Sequence, residues 1–313
     1  MKRKLNAIAA AVALACGTCG SALADDASIS QSGNDNNATI TQSFSFGATA
    51  TIGQNGDGNT GTISQTAASG NATISTTGNG NSATINQNVN SNQASITQAG
   101  NSNSATINQV PLDLGGGSTV FTLGTASINQ TSSGNTATVD QNGSFNANAT
   151  IDQTGSLGSN QAHIVQGPGG FDNQRTAHIT QNNTINDLAS IDQMGATQTA
   201  SIVQDNSYSA SAVIGQTGDH NTASITQHDI ADRSTANINQ SGSGHTASVD
   251  QSGVYNDATI LQSGNGNVAT IGQSGDATFN NRNSASIAQS GSGHNASILQ
   301  SGGGGNHATV TQN

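Results

Sequence analysis

Residues 258–273, Ala258-Thr259-Ile260-Leu261-Gln262-Ser263-Gly264-Asn265-Gly266-Asn267-Val268-Ala269-Thr270-Ile271-Gly272-Gln273, hold two copies of a five-residue unit, Ala-x-Ile-x-Gln, separated by six residues. Within each copy Ala, Ile and Gln alternate with a second set of side chains, which is the period of a two-faced extended strand. Between the copies Gly and Asn predominate, residues that tolerate the positive φ values a chain reversal needs. The pattern is strand, turn, strand.

The same unit recurs twenty-four times between Ala27 and Gln312. Every copy has Ile or Val at its third place, and only Gly61 and Thr76 depart at the Ala and Gln places. Thirteen of the twenty-three spacings are eleven residues and five are twelve, so this is a repeat architecture. Because eleven is odd, a straight strand would send successive units to opposite faces, and a turn in every repeat is needed to return them to one core. Two strand-turn units then make a coil of about 22 residues, and coils stack at roughly 4.8 Å by backbone hydrogen bonds. The predicted fold is all-β: a two-sheet β-solenoid of about twelve coils, with two short strands per coil stacked as in cross-β structure.

Stacking sets like on like. Ile40, Ile85, Ile107, Ile151, Ile225, Ile260, Ile271 and Ile298 are the expected core. The same interior face carries Gln31, Gln42, Gln87, Gln98, Gln109, Gln141, Gln153, Gln227, Gln240, Gln251, Gln262, Gln273, Gln300 and Gln312. An unpaired buried amide costs on the order of 1–3 kcal/mol. In a stack, each Gln can donate to the Gln of one neighbouring coil and accept from the other, forming a ladder. Twelve units also carry Asn two residues before the Ala, among them Asn81, Asn103, Asn221 and Asn267, and these are expected to form a second ladder.

The first two dozen residues read differently. Met1-Lys2-Arg3-Lys4 is a basic start, Ala7 to Ala15 is a short apolar run, and Ser21-Ala22-Leu23-Ala24 suits signal peptidase. Residues 1–24 are therefore expected to be a removed leader, and 25–313 the exported repeat domain. The apolar run is too short to span a bilayer as a helix, and nothing downstream has the length or hydrophobicity to do so. Both cysteines, Cys16 and Cys19, fall in the leader, and Ala13 stands where a lipoprotein signal has Leu. The mature chain must hold together without disulfides. Residues 25–313 carry three Arg, seventeen Asp, and no Lys or Glu, a net charge of −14 against −11 for the whole sequence. Nucleic acid and anionic membrane surfaces are thereby disfavoured as partners. Abundant Gly, Ser, Thr, Asn and Gln would suit a disordered polar tract, but the strict internal order argues against one.

The longer phrase Gly264-x-x-Asn267-x-Ala269-x-x-x-Gln273 resembles the curlin repeat of bacterial curli amyloid subunits. Ala258 to Gly264 looks closer to repeats of the minor, nucleating subunit than to those of the major one. The resemblance covers about residues 27 to 312. It implies export through a dedicated outer-membrane pore, assembly outside the cell into amyloid fibres with itself or another curlin-type subunit, and a role in biofilm matrix and surface adhesion. Two features depart from the family. Ala27 begins the first unit two residues after the expected cut, where curli subunits carry a segment recognised by the pore, and the final repeats are neutral or acidic where the nucleator's are basic. Soluble solenoids generally carry polar caps, and units running from Ala27 to Gln312 leave no room for them. Open ends are therefore expected to template the next molecule.

Other signals point to weaker alternatives. Three interruptions, Val110 to Gly124, Gly167 to Thr176 and Ser274 to Ser284, include Phe121, Phe171 and Arg175 and are expected to be bulges on one edge of the solenoid rather than binding loops. Among seven His, His163 and His178 take outward places, His245 and His294 take the Asn place, and His220, His228 and His307 fall in turns. None has ligand spacing to a Cys or carboxylate partner, so no metal site is expected. Asp140, Asp152, Asp192 and Asp250 sit outward between Ile or Val and Gln, as gatekeepers against premature aggregation. Outward pairs such as Thr39/Thr41 and Thr309/Thr311 suit an ice-binding array, but the second place varies too much along the chain. A non-polymerising secreted adhesin or matrix protein is the main alternative to a fibre subunit. With no cluster departing from the repeat to build a pocket, no enzyme, catalytic residue or cofactor is expected.

Overall fold

Each repeat unit alternates β-branched and hydroxyl residues in a way that suits a pleated, half-buried surface, and each forms a strand. The structure, a computed structural model, describes residues 9–15 and 25–313 apart from 46, 67–68, 89–90, 114–118, 121–122, 144–145, 156–157 and 169–173. Successive units go alternately to two parallel sheets, with twelve repeat strands in each. Sheet one begins its repeats at Asn37–Ser43 and reaches His307–Gln312; sheet two runs from Asp26–Ser32 to Asn295–Ser301. Sheet one has a thirteenth strand, Ala9–Ala15, paired in parallel with Asn37–Ser43. The described residues contain no helix.

The odd spacing is accommodated by this alternation. Neighbours within a sheet are two units apart, so equivalent places align: Ala236 faces Ala258, Ile238 faces Ile260, and Gln240 faces Gln262. Ala, Ile and Gln of both sheets point into a single thin interior. Ile40, Ile85, Ile107, Ile151, Ile260 and Ile271 are fully buried, Ile225 is 1 % exposed, and Ile298 in the last strand of sheet two is 6 % exposed. Each such side chain contributes about 1.5–3 kcal/mol relative to exposure.

The corners are made of stacked turns. Gly33, Gly56, Gly78 and Gly100 occupy one turn position in successive coils with φ of 110°, 120°, 109° and 120°. A Cβ on Gly33, Gly56 or Gly78 would collide with the carbonyl oxygen of the next glycine in the column, so both conformation and close approach require glycine there.

The interruptions are not confined to one edge. Residues 110–124 and 167–176 lie at the corner leading from sheet one to sheet two, whereas 274–284 lies at the opposite corner. Alternate units feed opposite corners, so whether an insertion follows an odd or an even unit decides its side. In the first, Leu112–Asp113 pairs with Thr119–Val120 as a short antiparallel ribbon. Phe121 and Phe171 lie outside the described residues. The third insertion is pinned down: Arg282 donates to both carboxylate oxygens of Asp257 at 2.5 and 2.6 Å and to the Arg233 carbonyl at 2.8 Å. Its guanidinium lies 5.3 Å from the Tyr255 ring centre, and Phe279 meets the same ring edge-on at 6.1 Å.

Candidate functional site: the stacking ladders

Placing Gln at the fifth position of each strand aligns the amides along both sheets. In sheet one the ladder is continuous from Gln42 to Gln312, each Nε2 donating to the Oε1 of the next Gln at 2.7–3.0 Å. It takes in Gln87, Gln109, Gln141, Gln240 and Gln262. Sheet two runs from Gln98 through Gln153, Gln227, Gln251 and Gln273 to Gln300 at 2.7–2.9 Å. Gln31 donates to Gln54 at 2.8 Å, and there the second ladder stops, because Thr76 occupies the next rung. Thr76 Oγ1 and Gln98 Oε1 are both buried without a partner. The remaining Nε2 hydrogen is used across the interior, as in Gln141 to the Ala147 carbonyl at 2.9 Å and Gln65 to the Gly70 carbonyl at 3.0 Å. Most of these Gln thus tie their own sheet together and latch it to the other.

The Asn residues form not one column but two, one at each corner, and their amides pair with each other only in places along sheet one's column: Asn160 donates to Asn135 at 3.3 Å, Asn283 to Asn256 at 2.9 Å and Asn306 to Asn283 at 3.1 Å. Asn81 and Asn103 stand at the corner entering sheet one, Asn221 and Asn267 at the corner entering sheet two. Each Oδ1 accepts the backbone N–H at the same place one coil on: Asn103 N–H donates to Asn81 Oδ1 at 3.0 Å, and His245 N–H to Asn221 Oδ1 at 3.0 Å. Most other Nδ2 groups donate to turn carbonyls, as in Asn81 to Gly100 at 2.9 Å and Asn267 to Ser263 at 2.9 Å. The short side chain mostly reaches its neighbour's backbone, so the expected second ladder is joined amide to amide only over those few rungs.

Other residue types at this place fit the same geometry. His245 is fully buried, with Nδ1 accepting from Asn267 N–H at 3.2 Å and Nε2 donating to the Ser241 carbonyl at 3.1 Å. Arg175 is also fully buried, so it is a corner plug and not a loop residue. Its Nη1 donates to the Gly167 and Gln193 carbonyls at 2.5 and 3.0 Å, Nε and Nη2 have no partner among the described residues, and burial pulls its pKa down to about 10. Asp187 takes the place in sheet one's column, accepting from Ala210 N–H at 2.9 Å and from the Ser207 hydroxyl. Burial pushes its pKa up to about 6 despite those bonds.

The outward faces are columns of a different kind. Thr39, Thr62, Thr84, Thr106 and Thr138 align in sheet one, but the neighbouring column reads Thr41, Ser64, Asn86, Asn108 and Asp140, so no two-wide Thr array exists there. Asn86 donates to Asn108, and Asn108 to Asp140, at 2.8 and 2.7 Å. Two histidines do have carboxylate partners, contrary to the expectation. His163 lies 3.1 Å from Asp140, which holds the Asp140 carboxyl below its ordinary range, and His228 bridges Asp229 and Asp250 at 2.7 and 2.9 Å. His228 and His307 are strand-end rather than turn residues. His163 with Asp140 and His228 with Asp250 come together one coil apart, a distance that local ligand spacing does not test, whereas Asp229 directly follows His228. No group of three His, Cys, Asp or Glu positioned for a metal ion occurs among the described residues, and no helix among them is long and apolar enough to cross a membrane.

A family model described as the curlin associated repeat matches residues 78–110, 231–260, 256–278 and 281–313. No curated protein matches the chain. Each matched segment contains two or three of the units whose Gln and Ile residues build the ladders and the core. Over these segments the chain carries curlin associated repeats.

Proposed function

We propose that this chain is a structural subunit of an extracellular curli-type fibre, exported after leader removal, growing by the stacking of coil on coil between copies and serving matrix formation and adhesion. The supporting observation is the polarity of the ladders. In each Gln–Gln bond of both sheets Nε2 donates toward the C-terminal side and Oε1 accepts from the N-terminal side, with identical residues in register. The C-terminal side of any coil is therefore complementary to the N-terminal side of any other, and two copies can join head to tail using only contacts already present within one. A heterologous contact of that kind propagates without closing, and it is the arrangement of a cross-β stack. No chemistry beyond stacking is assigned.

The experiment is seeded growth of residues 25–313 followed with an amyloid dye. Replacing both Gln300 and Gln312 with Leu removes the donors nearest the C-terminal edge and should slow elongation, while Gln273→Leu within the stack should lower stability and leave elongation nearly unchanged. Equal effects on elongation would reject the templating mechanism.

A further inference from the structure

We propose that residues 9–15 occupy, in the unprocessed chain, the sheet edge at which a second copy docks, so that removal of the leader creates the docking surface. This rests on the fibre-subunit function proposed above. Ala9–Ala15 lies parallel to Asn37–Ser43 in the register of the repeats: Ala10 opposite Ala38, Val12 opposite Ile40, and Leu14 opposite Gln42. In backbone register the leader segment Ala10-Ala11-Val12-Ala13-Leu14 thus matches the unit Ala-x-Val-x-Gln at the Ala and Val places and departs from it at the Gln place.

That departure is the informative one. Gln42 Nε2 donates to Gln65 Oε1 at 2.9 Å, but Gln42 Oε1 is buried with no hydrogen-bond donor among the described residues. A leucine has no side-chain N–H with which to fill it. The leader strand therefore satisfies the backbone of the edge while leaving the amide ladder unextended. The edge it covers is the acceptor side of the stack, where the incoming C-terminal side of another copy would supply a Gln donor to Gln42. One strand edge offers one row of backbone donors and acceptors, so the two occupants exclude each other. Tethered to the chain, the leader competes at an effective concentration of about millimolar, which holds the edge against free copies at far lower concentration. Cutting after Ala24 abolishes that advantage.

The test compares the full chain, residues 1–313, with residues 25–313 on preformed seeds, growth at each seed end being followed by fluorescence microscopy with an amyloid dye. Residues 25–313 should extend the seeds. The full chain should not: it cannot add through its covered edge, and where it adds through its other edge it ends growth. Mixed in small proportion with 25–313, it should arrest one end of each seed. Val12→Asp in the full chain breaks the leader's register match without touching the mature sequence and should restore extension. Extension by the full chain equal to that of 25–313 overturns the proposal while leaving the fibre function intact, as does failure of the Val12→Asp chain to regain growth. Absence of growth by 25–313 itself removes both.

Discussion

Replacing Thr76 with Gln should repair the single break in the ladders. Gln54, Thr76 and Gln98 are consecutive rungs of sheet two, with Thr76 Oγ1 and Gln98 Oε1 buried and unpartnered. A Gln at 76 would add two amide bonds like the 2.7–3.0 Å bonds elsewhere in the ladders. At about 0.5–1.5 kcal/mol net for the bond from Gln54, and about 1–3 kcal/mol for the bond that relieves the buried Gln98 Oε1, the gross gain is about 2–4 kcal/mol. Ordering a longer side chain takes back up to about 2 kcal/mol, leaving about 1–3 kcal/mol. Hydrogen exchange of the Asn71–Thr77 amides in monomeric 25–313 should then slow roughly 5- to 150-fold. The two exceptions to the repeat are also physically linked. A Cβ on Gly61 would lie 3.0 Å from Ile52 Cγ2 and 3.1 Å from Gln54 Nε2, the amide left without a rung ahead of it. With Gln at 76 drawing that amide away, Gly61→Ala should be better tolerated by about 0.5–1 kcal/mol than in the parent. Unchanged exchange in Thr76→Gln, or strict additivity of the pair, would refute the reasoning.

Three further outcomes follow from the corners. Asp187 has its folded pKa raised to about 6, from an ordinary 3.8, by burial. Folding therefore favours its protonated form, and stability falls as pH rises from about 4 through 6, then levels off. Asp187→Asn, which restores the usual residue of the column, should raise the unfolding free energy at pH 8 by up to about 3 kcal/mol and leave it nearly unchanged near pH 3. Arg175→Gln should stabilise by about 1 kcal/mol in denaturant unfolding. Gln198, one coil on, already spans two carbonyls at 2.9 and 2.8 Å without a buried charge. Gly78→Ala should destabilise by about 1–3 kcal/mol more than Gly80→Ala in thermal unfolding, because a Cβ collides with the Gly100 carbonyl at 78 and meets nothing closer than Ser102 Oγ at 3.8 Å at 80.

The strands, their inward faces and the stacking of like on like were legible in the sequence because each depends on a short-range period. Ala258, Ile260 and Gln262 declare their face within five residues, and twenty-four repetitions leave one way to stack them. What was not legible depends on reach and on the path between units. Asn81 and Gln87 share an amide, yet the shorter side chain bonds backbone and the longer one bonds its own kind. The side taken by residues 274–284 is set by counting units. The pairing of His163 with Asp140, 23 residues away, becomes visible only once residues one coil apart are read as neighbours. Arg175 looked like a loop residue because no local pattern says that the corner place beneath an insertion is closed. The strand formed by Ala9–Ala15 was concealed by a composition that reads first as a leader.

The central claim is that copies join by continuing the coil stack. X-ray diffraction from aligned fibres of residues 25–313 tests it most directly. A meridional reflection near 4.7–4.8 Å, with an equatorial one near 10 Å for two facing sheets, is the predicted result. A strand-rich protein that stays monomeric, or fibres lacking the meridional spacing, would contradict it.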